Sequence, residues 1–252
     1  MLGKPNITYK IFFLIIFTIS KSFSYEFTKP PFKVGEYLEY EIYALGIKVA
    51  TQKMKIVKIT NINERECYFI KTDIETIPAI SKIYHLHDTI ETYIDVNTVL
   101  PVLIITKIKE GKWRNDIKIE INQEEGYLIY SDIKGKKKLE FKGNIVGLDS
   151  ILYFLRCIKP ENNENLEFVI SKKREIEYLK AKALLNYEKM YIKPLKKYVN
   201  TTYYMEINKN AFIWVTEDES RLPVRIKSIM IPIGDYGLIS FINKLTKYYS
   251  PE

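Results

Sequence analysis

Two histidines and two cysteines in 252 residues leave little for metal or nucleophilic chemistry. Cys67 and Cys157 are far apart in the chain, so a Cys-x-x-Cys redox pair is excluded. Ser81 and Ser150 lack the surroundings of a nucleophile elbow, and none of the ten glycines builds a phosphate-cradling loop. Internal repeats, low-complexity linkers and apolar runs long enough for a membrane helix are also missing. These gaps argue against the common hydrolases, nucleotide enzymes and helical membrane proteins, and no cofactor is expected.

What the chain does have begins at its N-terminus. Lys4 and Lys10 precede the apolar run Ile11–Ile19, and Ser22-Phe23-Ser24 offers small residues at a cleavage site before Tyr25. Residues 1–24 therefore read as a signal peptide and residues 25–252 as a single β-rich domain. No cysteine stands at the cleavage point to take a lipid. Loss of the three leader lysines lowers the net charge from +8 to +5 (8 − 3), a mild excess that points to no anionic partner. Export also argues against nucleic acid, which has no recognisable binding module here. The expected location is the periplasm of a Gram-negative-type bacterium. Export permits a Cys67–Cys157 disulfide, but both cysteines sit in apolar runs and two buried thiols are the default expectation.

Short alternating runs of apolar and polar residues separated by turns predict antiparallel strands. They cover 37–43, 47–59, 66–76, 84–95, 99–109, 113–121, 127–133, 138–141, 198–207, 212–216, 222–231 and 238–248. Leu148–Cys157 has helical spacing behind Asp149-Ser150, a good cap, and predicts one short helix; a further helical turn is expected near Pro78–Tyr84. Glu175–Met190 has helix-forming composition, yet its alternation and β neighbours favour strand. Residues 160–165 read as an exposed loop.

Several motifs recur in a familiar order: Phe32-Lys33-Val34-Gly35-Glu36-Tyr37, then Asp88-x-x-Glu91-x-x-x-Asp95 with Thr98-x-Leu100-Pro101. Asp149-x-x-x-Tyr153-Phe154-Leu155-Arg156 and Trp214-x-x-x-Asp218-x-x-Arg221-Leu222-Pro223 follow. Together they resemble the exported bacterial family catalogued as domain of unknown function 3108, over nearly the whole mature chain. The resemblance implies an envelope location and a β-rich fold, and it implies no reaction. The chain departs from the family at Lys193-Pro194-Leu195-Lys196-Lys197, where a glycine-containing turn would be expected.

Among individual residues, His85, His87 and Glu91 would share one strand face, which makes them weak zinc candidates or ordinary solvent-facing side chains. Asp88 would face the core with Leu86, Ile90 and Ile94. It then needs a partner, and Arg156 or Arg221 would supply a structural polar tie. The other reading of Asp88 is a ligand-orienting carboxylate. Trp214 reads as core rather than as a ligand stack. Lys134, Lys136, Lys137 and Lys138 form a basic hairpin tip, either a solvated turn or a peripheral contact with anionic lipid.

The expected architecture is mainly β: a strongly curved antiparallel sheet, as an open barrel or roll, lipocalin-like or lipoprotein-carrier-like. The helix at 148–157 would pack on its concave side. The expected function is non-catalytic binding or carriage of a lipid or other apolar or amphipathic envelope component. The alternative is a scaffold or assembly factor that contacts envelope proteins. A hydrolase-like enzyme using Asp88, Glu91 or the histidines ranks third.

Overall fold

The computed structural model describes residues 26–147, 150–172, 174–206, 211–232 and 238–251. The expected leader and Asp149 of the expected helix cap lie outside the described residues. β1 (Glu26–Phe27) precedes three long strands, β2 (Tyr37–Ala44), β3 (Ile47–Ile62) and β4 (Arg65–Thr76). A single helical turn, α1 (Pro78–Ser81), leads to β5 (His87–Asp95), β6 (Pro101–Glu110), β7 (Trp113–Asn122), β8 (Tyr127–Asp132) and β9 (Gly135–Glu140). The middle of the chain holds β10 (Ile145–Val146), α2 (Ser150–Cys157), β11 (Ile158–Lys159) and β12 (Asn165–Lys172). The last part forms β13 (Glu175–Ile192), β14 (Lys197–Glu206), β15 (Ala211–Thr216), β16 (Pro223–Pro232) and β17 (Leu238–Tyr249).

Among the described residues fifteen strands make one sheet, in the order β10-β12-β13-β14-β15-β16-β17-β2-β3-β4-β5-β6-β7-β8-β9. Every neighbouring pair is antiparallel except β10 with β12. β1 and β11 pair separately. This is the mainly β, curved architecture expected from the alternation. On β2, Leu38 and Tyr40 are buried while Glu39 and Glu41 are partly exposed, and on β5 Thr92 and Ile94 face inward.

The two ends of the sheet come together without a ladder between β9 and β13. Arg174, beside β13, donates to Asp132 of β8 and to the Gly135 carbonyl of β9 at 2.9 Å. Lys137 of β9 donates to the Arg174 carbonyl at 3.1 Å, and the Lys142 N–H donates to the Tyr178 hydroxyl at 3.1 Å. Side chains thus latch a seam in an otherwise open barrel.

Four strands, β1, β10, β11 and β12, have no counterpart among those expected from sequence. β12 (NLEFVISK) does not alternate cleanly because both its faces are covered: Leu166, Phe168 and Ile170 pack in one apolar cluster and Val169 in another. β10 is too short to carry a pattern. Elsewhere, β13 is strand over 18 residues despite its helix-forming composition, because its backbone pairs with β12 and β14 on its two sides. Strand β5 begins at His87, later than the predicted residue 84.

α2 fills part of the interior. Leu152, Tyr153 and Cys157 pack in one cluster with Leu38, Tyr40, Met54, Ile56, Ile70 and Ile94. Phe154, Leu155 and Ile158 join the cluster that includes β12. The helix is tied down by its last turn. Arg156 makes a bidentate pair with Glu36, at 2.6 and 2.8 Å, and donates to the Ser220 carbonyl at 3.2 and 3.0 Å. Both ionic side chains are fully buried. Burial works against the guanidinium charge, but the Glu36 bonds more than offset it and hold the Arg156 pKa above its ordinary value. Gly35, at φ +93°, sets the approach to Glu36, and a Cβ there would meet Pro251 Cγ at 2.8 Å. Phe32 sits edge-on to Tyr153 at 5.1 Å and beneath Arg156. Three of the four motifs that carry the family resemblance, those around Glu36, Arg156 and Ser220, therefore meet in one structural knot.

The departure at 193–197 also has a local account. Residues Lys193–Leu195 form a 3-10 turn, and Lys196 takes the left-handed conformation at φ +51° that a glycine would adopt without strain.

Both cysteines are free and buried. Burial pushes the Cys157 thiol up to about 12 and the Cys67 thiol up to about 11. Native protein at pH 8 should therefore resist iodoacetamide, while denatured protein takes two labels as read by intact mass. A fast native label would contradict the burial. Unfolded thiols ionise near pH 9 and these only at higher pH, so their contribution to stability declines as pH rises through that window.

Candidate functional site

Strands β5 to β8 present an inner face that α2 does not cover. The ladder register stacks Ile90, Thr106 and Ile117 in one rung and Thr92, Ile104, Ile119 and Tyr130 in the next. Ile108 pairs with Asn115 nearer the end of the strands. Opposite them stand Ile145, Val146, Gly147, Ser171 and Lys172. The space enclosed is a cleft of about 620 Å³, also bordered by Ile121, Trp113, Ile133, Lys134, Asp132 and Arg174. That size lies within the roughly 300–1,000 Å³ of ordinary ligand pockets.

Its chemistry is largely aliphatic, with isoleucine at eight of the twenty lining positions. Thr92 Oγ1, Asn115 Oδ1 and Ser171 Oγ are buried without a hydrogen-bond partner, and all three residues border the cleft. Such atoms are costly in an apolar setting. Lys134, Lys172 and Arg174 put positive charge at the seam, where Arg174 is paired with Asp132 and Lys172 lies 3.3 Å from Glu177. Gly147 brings backbone close to the opposite wall: a Cβ there would lie 2.7 Å from Ile104 Cδ1.

The residues singled out from sequence fall elsewhere. Asp88 accepts the Lys109 backbone N–H at 2.8 Å and joins neither arginine. It stands at the start of β5, whereas α2 packs with Ile94 near the other end. Seven residues of strand put about 23 Å between Asp88 and Asp95. The expected tie exists in kind, but Glu36 takes the role given to Asp88. Arg221 donates instead to the Ile158 carbonyl at 2.8 Å and approaches the Leu155 carbonyl and the Tyr204 hydroxyl at 3.4 Å. Beside Asp88, burial and then the Asp88 charge raise the Glu110 pKa.

His85 lies before the strand, with Nδ1 2.8 Å from the Ser81 hydroxyl, so strand alternation does not align it with His87 and Glu91. Both histidines border a surface groove that also holds Glu75, but Glu91 is not part of it. Among the described residues no three His, Cys, Asp or Glu side chains gather as a metal set. Of the hairpin lysines, Lys137 reaches the seam and Lys138 covers the Tyr127 ring at 4.1 Å, which leaves Lys134 and Lys136 at the tip. Trp214 is buried among Tyr203, Phe212 and neighbouring core residues, as expected. An apolar interior was expected of such a curved sheet, but its place on β5–β8 was not. Its signal was present in the isoleucines at 104 and 108 and at 117, 119 and 121, spaced by two or four residues along β6 and β7.

Comparison with known proteins agrees with the architecture. The fold is similar to the crystal structure of a beta-barrel-like protein of domain of unknown function DUF1849 from Brucella abortus, with a TM-score of 0.52 and 10% identity. That match covers 88% of this chain and 99% of the other. No curated protein matches. The model of the family described as "Protein of unknown function (DUF3108)" matches residues 39–238, and the chain belongs to that family.

Proposed function

We propose that this protein binds and carries an apolar or amphipathic molecule, such as a lipid with a single acyl chain, in the bacterial envelope. The cleft of about 620 Å³ carries the reading, because its inward face is aliphatic where a filled barrel would have packed side chains. The lysines and Arg174 at its border would suit a ligand with a polar or anionic end over a pure hydrocarbon. A carrier role fits a site that offers a recess with apolar contact. The leader read at residues 1–24 is the reason for placing the protein in the envelope.

The test is native mass spectrometry of protein expressed with its own leader and purified without detergent. The expected result is an added mass that leaves on organic extraction and matches an envelope lipid. A clean protein mass, unchanged after incubation with envelope lipid extract, would sink the proposal.

A further inference from the structure

We propose that one end of the barrel docks on an anionic phospholipid surface, inserting apolar turn residues at the headgroup boundary. This inference does not depend on what the cleft holds. Antiparallel succession sends the β2–β3, α1–β5, β6–β7 and β8–β9 connections to the same end. Each of these connections exposes a large apolar side chain: Leu45 is 77% exposed, Ile83 87%, Trp113 52% and Ile133 84%. Isolated exposed apolar residues are unremarkable, but four consecutive tips on one rim are a pattern.

Charge in these four connections is of one sign. Residues 45–47, 77–86, 111–114 and 133–138 contain no carboxylate, and Lys82, Lys112, Lys134 and Lys136 stand among the apolar tips. The carboxylates just inside this rim are engaged: Asp88 with the Lys109 N–H, Glu110 with the Tyr84 hydroxyl at 3.2 Å, and Asp132 with Arg174. Turns at the opposite end mix the two signs: Glu64, Glu124, Glu125, Glu161, Glu164 and the run Glu217–Glu219 stand there with Lys193, Lys196 and Lys197. Four neighbouring apolar tips with lysines and no carboxylate among them suit the headgroup boundary of an anionic bilayer. Trp113 and Ile133 belong both to this rim and to the cleft lining, so docking would bring the cleft to the membrane.

The experiment is vesicle co-sedimentation of the protein with phosphatidylglycerol and, separately, with phosphatidylcholine. Tryptophan quenching by brominated phosphatidylglycerol is read alongside it. Trp214 is buried, so Trp113 is the tryptophan exposed to report contact. The expected result is binding to phosphatidylglycerol that weakens with salt, with quenching that disappears in Trp113→Phe. The pair Leu45→Asp with Ile83→Asp, neither in the cleft, should reduce partition about tenfold. Thermal melting checks that this variant is folded, and Glu124→Ala with Glu125→Ala at the opposite end should bind as the parent does. No sedimentation with phosphatidylglycerol, equal binding to both vesicles, or unquenched Trp113 in bound protein would overturn the proposal. So would a folded Leu45→Asp, Ile83→Asp variant with undiminished partition.

Discussion

Glu36→Ala should lower folding stability by about 3–5 kcal/mol, the cost seen when one member of a buried ion pair is removed. Glu36 and Arg156 are both fully buried, and the guanidinium would be left with the Ser220 carbonyl as its hydrogen-bond acceptor and no anion. Arg156→Met should cost a similar amount, because the Glu36 carboxylate is then stranded. The double variant Glu36→Leu with Arg156→Met should recover much of the loss, since a packed apolar pair removes both desolvation costs. Urea unfolding of the four proteins measures the cycle. A Glu36→Ala cost under about 1 kcal/mol, or purely additive single effects, would contradict the view that this pair anchors α2. The anchor bears on the proposed carrier function because α2 fills one side of the interior and leaves the β5–β8 side as the cleft.

Thr106→Trp should weaken binding of a single-chain lipid by about tenfold or more, roughly 1.4 kcal/mol per decade. Thr106 lies on the inner face between Ile90 and Ile117, so an indole there would occupy space that the ligand needs. Its neighbours border open volume rather than close-packed core, so the melting temperature should change little, unlike an insertion beside Met54 or Ile56. Thr106→Ala keeps the space and should bind normally. Displacement of a fluorescent fatty acid measures both variants. Equal affinity for parent and Thr106→Trp would place the ligand elsewhere.

Much of the sheet was legible because period-two burial leaves a direct trace: Leu38 and Tyr40 inside, Glu39 and Glu41 outside. The tie to the helix was legible in kind, since a core-facing carboxylate requires a cation such as Arg156. Its partner was not, because alternation gives the face of a strand but not the height at which another element meets it. Asp88 has inward parity at the wrong end of β5, whereas Glu36 reaches Arg156 across 120 residues of sequence. The cleft was hidden for a similar reason. Isoleucines at 104, 117 and 119 announce an inner face, but only the path of α2 decides whether that face is filled. The seam at Arg174 depends on how far the sheet curls, which no local pattern encodes.

The most direct test is a methyl NMR titration of isoleucine-labelled protein with lysophosphatidylglycerol below its micelle concentration. The account predicts saturable shifts at Ile104, Ile117 and Ile119, which line the cleft, with Ile56 and Ile70 in the filled core unmoved. Shifts at Ile83 alone, or none at all, would contradict it.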